Sequence, residues 1–293
     1  MIIIRPKYKF DIVQHISQKL FLFAIFLLGS ILVLLGCSSG DSPIDSEPLS
    51  PASPLADLSG VWSTNSFDTL DSPDWDIVGQ FSSRLTVETY EYLETLLYNP
   101  VNDHLSASEI IDALEEHTFA VIDDRLTETG HSVGDAFDLA DDPAIQCERF
   151  GIFRTVLHSD PIKFEVLEDR IIITGEDLTV DRTVYMDGRA HPEDGIQSTV
   201  GHSIGWYEGQ TLVVETTNIS PNLADDSLAI HNSDQARGIE RYSISPNGRN
   251  LDVELTIYDP VMFREPLIIR RPRVLTPDVE LDRQPCEAIS GQF

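Results

Sequence analysis

The stretch IERYSISPNGRNLDVELTIYDP, residues 239–260, holds two runs of alternating residues separated by Pro246-Asn247-Gly248. Successive side chains of an extended strand leave on opposite faces. Leu251, Val253, Leu255 and Ile257 therefore share one face, and Asp252, Glu254, Thr256 and Tyr258 the other. Pro-Asn-Gly is turn chemistry, because proline presets one backbone angle and glycine accepts the left-handed one. The stretch reads as an antiparallel hairpin with one buried face. Tyr242 and Ile244 form the apolar side of its first strand, with Glu240 in step with them. Asp259 is in step with the apolar set of the second strand, so two carboxylates are predicted to point inward.

Outward from that hairpin the same design recurs from Pro161 on. Strand-like runs break at Glu168-Asp169, Asp187-Gly188 and Glu208-Gly209, and REPLIIRR follows at 264–271. Successive β-rich runs joined by turns predict a mainly β fold: an antiparallel, lipocalin-like barrel, or alternatively a β-sandwich. The opening LSGVW, 58–62, is similar to the Gly-x-Trp start of such barrels. A small helical insertion is expected near 86–130. There Ser106 or Ser108 offers an N-cap, and Ile110, Ile111, Leu114, Phe119, Val121 and Ile122 follow at mostly helical spacing. These helices are expected as a lid or a side-packing layer. With no internal repeat and no second linker, 58–293 reads as a single β-rich domain.

Phase also assigns Arg182 to the interior, in step with Val180, Val184 and Met186. The run HSIGWYEGQTLVVETT, 202–217, admits two registers. A two-residue turn at Glu208-Gly209 puts His202 and Glu215 on one face. A three-residue loop with Gly209 as a left-handed bulge instead groups His202, Ile204 and Trp206 with Leu212, Val214 and Thr216. Register follows the buried face, and Glu-Gly is a poorer two-residue turn than Asn-Gly, so the second is expected.

Arg182, His202, Glu240 and Asp259 are then expected in one interior, where an unpaired charge is very costly. They can form a salt-bridge network closing one end of the barrel, or they can meet a ligand. In the second case His202, Glu240 and Asp259 are the candidate catalytic acid/base groups. Arg182 is the anion clamp, and Trp206 and Tyr242 are apolar walls. Arg189 and His191 in DGRAHPEDG (187–195) and His231 in AIHNSDQ (229–235) are ligand-binding candidates on loops at the barrel mouth.

The chain opens with Arg5, Lys7, Lys9 and Lys19, then the apolar run LFLFAIFLLGSILVLL at 20–35, then Gly36-Cys37. The run is like a signal peptide and short for a membrane span. Leu34-Leu35-Gly36-Cys37 resembles a bacterial lipobox, which implies a lipoprotein signal peptide over 1–36 and an acylated Cys37. Ser38 in place of aspartate implies the periplasmic face of the outer membrane, where the cell has two membranes. Residues 37–57, rich in Ser, Pro and acidic groups, read as a disordered tether.

Without residues 1–36, 16 basic residues face 48 acidic ones, a net charge of −32, and Lys163 is the only lysine. That field argues against nucleic acid and anionic surfaces as partners. What remains is a small-molecule ligand, and the membrane reached through the Cys37 lipid; nothing in the sequence indicates an oligomeric state. Cys147 and Cys286 are left as a pair for an oxidising compartment. A disulfide across so long a loop would add about 4–5 kcal/mol on the chain-entropy model. The alternatives are two buried thiols or half a metal site. No C-x-x-C spacing occurs, so no metal is assigned, although His191, His202 and His231 could converge on one. Walker, dinucleotide and H-E-x-x-H patterns are absent, and Gly201-His202-Ser203-Ile204-Gly205 is only superficially like a nucleophile elbow, since the strand continues through Ser203 rather than turning into a helix; no cofactor is expected.

DDPAIQCERFG (141–151), PIKFEVLEDRIIIT (161–174), RTVYMDGRAHP (182–192), GHSIGWYEGQTLVVETTNI (201–219), HNSDQARGIERYSIS (231–245) and LDVELTIYDP (251–260) follow one another. Together they resemble a widespread family of exported bacterial proteins with no assigned activity. Its pattern is similar to D-G-R-x-H-P, then G-H-S-x-G-x-W-x-G-D-T-L-V-V, E-R-Y and D-P, matching Arg189, His191, His202, Glu240 and Asp259 here, with Trp206 one residue ahead of the pattern's Trp. The chain departs from it with Tyr207 before Glu208, with Gln210 where Asp is usual, and with QCERFG in place of a Pro-rich Cys loop. The resulting expectation is a lipoprotein binding a small, partly apolar ligand in a barrel cavity. The alternative is an exported lyase, isomerase or hydrolase using general acid/base chemistry on a sugar, lipid-like or terpenoid substrate.

Overall fold

The structure, a computed structural model, describes residues 57–64, 85–176, 178–193, 195–283 and 285–287. The predicted signal peptide, the acylation site Cys37 and the tether up to Ala56 lie outside the described residues. The strands are β1 (Gly60–Ser63), β2 (Leu85–Thr86), β3 (Ile162–Val166), β4 (Arg170–Gly175), β5 (Arg182–Tyr185), β6 (His202–Glu208) and β7 (Thr211–Thr217). They continue with β8 (Asn222–Asp225), β9 (Ile230–Asn232), β10 (Arg237–Ile244), β11 (Asn250–Tyr258), β12 (Leu267–Arg270) and β13 (Arg273–Leu275). Helices α1 (Val87–Tyr98), α2 (Ala107–Arg125), α3 (Glu128–Ala136) and α4 (Ile152–Leu157) lie between β2 and β3.

Nine strands close into a barrel in the order β10-β7-β6-β5-β4-β3-β1-β13-β11, with β11 pairing back to β10. The mainly β barrel expected from the turn spacing is the fold. An unbroken antiparallel meander is not, and parity explains why: strand direction cannot alternate around a ring of odd number, so one neighbouring pair must be parallel. That pair is β5–β6, joined at only Val184↔Ser203 and Tyr185↔Ile204. Parallel neighbours need a long return connection, and residues 186–201, which contain DGRAHPEDG, supply it.

The β10–β11 hairpin forms as its sequence predicts, from Arg237↔Tyr258 to Ile244↔Leu251, with Gly248 left-handed at φ 73° in the turn. Leu251, Val253, Leu255 and Ile257 are buried with Trp62, Phe164, Ile171, Leu212 and Val214 in one core. At about 25 cal/mol per Å², each such side chain contributes roughly 1.5–3 kcal/mol. Beyond the barrel, β12 pairs with β11 and then with β2. β12 and β13 run along the same edge of β11 and are parted at Arg271-Pro272, where proline has no N–H for the ladder.

The helical insertion packs beside the β12–β2 edge, a side layer that covers what would be an open strand edge. α1 and α2 share a small core of Leu85, Tyr90, Leu93, Leu96, Ile110 and Leu114. Ser106 rather than Ser108 is the N-cap of α2, in a capping box with Glu109. Phe119, read as apolar-face, is 42% exposed. Nothing in the sequence pattern marks α4, whose six residues are all buried. It is too short for helical periodicity to show. Its carbonyl end is held by Arg273, whose Nη2 donates to Val156 O at 3.2 Å and His158 O at 3.0 Å, a cation at the negative end of a helix. Just ahead of α4, Cys147 is bonded to Cys286 with Cα atoms 5.7 Å apart.

Candidate functional site

Arg182 on β5 and Glu240 and Tyr242 on β10 point into the barrel, as their phase predicts. Arg182 Nη1 donates to Glu240 Oε1 at 2.6 Å, and Nη2 reaches the other carboxylate oxygen. The Tyr242 hydroxyl accepts from Arg182 Nη2 at 2.8 Å and donates to Glu240. Burial alone would lower the Arg182 guanidinium, but Glu240 and Tyr242 against it hold it above its ordinary value. Burial and the Glu240 charge raise Tyr242, keeping it a phenol. This is a sealed bidentate pair with a shared hydroxyl. Tyr242 belongs to that network rather than to a ligand wall.

Asp259 is also buried, but it is not with them. It accepts from Ser233 N at 2.6 Å, Ser233 Oγ at 2.8 Å, Val261 N at 3.0 Å and Met262 N at 3.2 Å. Its work is to tie the 233 loop to the turn after β11.

The β6–β7 hairpin overturns the expected register. Glu208 pairs with Thr211, Tyr207 with Leu212 and Ser203 with Thr216, so the loop is the two residues Gly209-Gln210. Gly209 takes φ 64° at the first loop position, as a type II′ turn requires. Ser203, Gly205 and Tyr207 face inward, while His202, Ile204, Trp206 and Glu208 face outward. A shift of one residue in pairing reverses every side chain of a strand. The interior beside the parallel seam leaves no room for a large one: a Cβ on Gly205 would lie 2.7 Å from Met186 Sδ and 2.8 Å from Val184 Cγ1. Trp206 is consequently 38% exposed, with Nε1 donating to Glu208 Oε1 at 3.1 Å.

Turned outward, His202 meets the return connection. Its ring stacks on Tyr185 at 5.4 Å between centroids, and the Arg189 guanidinium lies 3.7 Å over the Tyr185 ring. His191 Nδ1 is 2.8 Å from His202 Nδ1, and His191 Nε2 is 3.6 Å from Glu215 Oε2. The other Glu215 oxygen accepts from Arg237 Nη1 at 2.7 Å. Partial burial, then His191 and then Arg189, lower the His202 imidazole and favour its neutral form. Tyr185 and Glu215 were not assigned a role from sequence. The signal for Glu215 was the two-residue-turn reading, which put it on the face of His202. His231 stands apart: its Nδ1 is 3.3 Å from Ala229 O, and its ring meets Phe137 edge-on. Among the described residues no three His, Cys, Asp or Glu side chains converge as a metal-binding group.

Beside His202 the barrel wall opens. A cleft of about 310 Å³ is lined by Ile172, Asp181, Arg182, Thr183, Tyr185, Val200, Gly201, His202 and Ser203. It lies at the parallel seam, where the β5–β6 ladder is only two pairs long. The four residues expected in one interior therefore occupy three places: a sealed pair within the barrel, a turn anchor, and the wall of an outer cleft. Set against known proteins, the chain matches no family model, no curated protein and no solved structure.

Proposed function

We propose that this chain is an exported protein, lipid-anchored through Cys37, that holds a small, partly apolar ligand at the β5–β6 seam rather than inside the barrel. The cleft carries this reading. Tyr185, His202, Ile172 and Val200 offer it aromatic and apolar surface, and Thr183 and Asp181 offer polar groups. Its volume is at the lower end of small-ligand sites, which span roughly 300–1,000 Å³. The barrel interior around Trp62, Phe164 and Tyr242 is filled by side chains. Native mass spectrometry of the mature chain with a library of small metabolites tests the site. Retention of a ligand that is lost in Tyr185→Ala supports it; retention unchanged in that variant moves the ligand elsewhere. Loss of radiolabelled palmitate in Cys37→Ser is the expected result for the anchor.

A second reading, an exported enzyme working by general acid/base chemistry, is favoured by the His191–His202 contact. Glu240 and Asp259 already spend their carboxylate oxygens on Arg182, Tyr242 and the backbone. Within this reading the acid/base role falls to His202.

A further inference from the structure

The partners of His191 dictate where its proton sits. Glu215, paired with Arg237, is an acceptor, and His191 Nε2 is buried with no hydrogen bond among the described residues. Its facing group is the Glu215 carboxylate at 3.6 Å. A ring lone pair aimed at a carboxylate is repelled, so Nε2 carries the hydrogen. A neutral imidazole has one donor and one acceptor nitrogen, which makes His191 Nδ1 the acceptor. At 2.8 Å, His202 Nδ1 must then be the donor. The remaining nitrogen, His202 Nε2, holds a lone pair and has no hydrogen-bond partner among the described residues, on a residue that lines the cleft. This reverses the preference of free histidine, whose neutral ring favours the proton on Nε2.

We propose that His202 is the proton-accepting base of the cleft, held in its Nδ1–H tautomer by His191 and Glu215, and that the cleft takes a small molecule bearing an acidic O–H, or a C–H beside a carbonyl. The proposal rests on the cleft being the ligand site. In the step, the ligand's X–H bond breaks, its electron pair stays on X, and the proton goes to His202 Nε2. The imidazolium so formed keeps its Nδ1–H on His191, with the Glu215 charge behind it. Return of the proton to another atom of the ligand completes an isomerisation that needs no further reactant. Arg189 and Arg237 oppose the imidazolium, while Asp187 and Glu215 favour it, and the Tyr185 ring covers one face. His191 and Glu215 are positioning residues.

The test is ¹⁵N NMR of histidine-labelled mature protein in detergent, read near pH 8 without ligand. His202 is expected with a pyridine-like Nε2 and a pyrrole-like Nδ1. In His191→Phe, which removes the acceptor, the Nδ1–H form falls from nearly all to a minority. His191→Gln, whose amide oxygen accepts, restores it. A wild-type His202 protonated on Nε2 overturns the proposal, as does a tautomer unchanged in His191→Phe; the wild-type spectrum decides even if that variant does not fold. The tautomer is read without ligand, so its failure leaves the Tyr185→Ala binding result standing. Failure of binding likewise leaves the tautomer standing.

Discussion

β5 contributes to two polar clusters of opposite character. Inward, Arg182 joins Glu240 and Tyr242, the two charged side chains being 2% and 1% exposed, and each hydrogen-bonds the other two members. Outward, Tyr185 joins His202, His191 and Glu215, partly open to solvent, with His202 Nε2 left over. Burial makes pairing compulsory, because a lone charge in a low dielectric costs several kcal/mol. A partly exposed site can keep an unsatisfied valence, and binding or catalysis needs one. The inner cluster is thus a stability device, and the outer one is where the proposed ligand would meet the chain.

The sharpest way to break this contrast is Glu240→Ala. It strands the Arg182 charge in the core and is expected to cost about 3–5 kcal/mol in urea denaturation. Replacing both partners, Arg182→Met with Glu240→Leu, should recover most of that loss; a cost under about 1 kcal/mol for Glu240→Ala alone would show the inner cluster is not sealed. Cys147→Ser removes the long loop closure and is expected to cost about 2–5 kcal/mol. It should leave the His202 tautomer unchanged, since the bond touches neither cluster. His202→Ala should reverse the pattern, shifting stability by less than about 1 kcal/mol while abolishing ligand retention.

The pH dependence sharpens the comparison further. His202 and His231 are both lowered on folding, chiefly by burial. Above the ordinary value of about 6.5, folded and unfolded forms are both neutral and stability is complete. As pH falls through that value the unfolded chain takes protons first, so stability declines until the folded rings titrate. Denaturation midpoints at pH 8 and 5.5 should differ in that direction, and less so in His202→Ala. The smallest effect is expected of Arg241→Ala. It breaks a pair with Glu208 at 2.9 Å on the exposed outer face, where such pairs contribute about 0–1 kcal/mol.

Legibility differed between the two hairpins for a definable reason. In β10–β11, four apolar residues in strict alternation and a Pro-Asn-Gly turn agree on one register, and Glu240 and Asp259 could be assigned inward from it. In β6–β7, Ile204 and Trp206 suggested a buried face that the structure gives to Ser203 and Gly205. Size at the seam, rather than hydrophobicity, decides that side, and it is set by Val184 and Met186 from another strand.

By itself the sequence determined a β-rich domain with a helical insertion and the inward phase of Arg182, Glu240 and Asp259. It also marked Cys147 and Cys286 as a possible pair. These follow from period-two alternation, turn chemistry and composition, which are properties of short segments. Tertiary structure alone decided the nine-strand closure with its parallel seam, the outward turn of His202, its meeting with His191 and Glu215, and the burial of α4. A ring's parity and the neighbours across a seam belong to the closed sheet as a whole, and no single segment carries them.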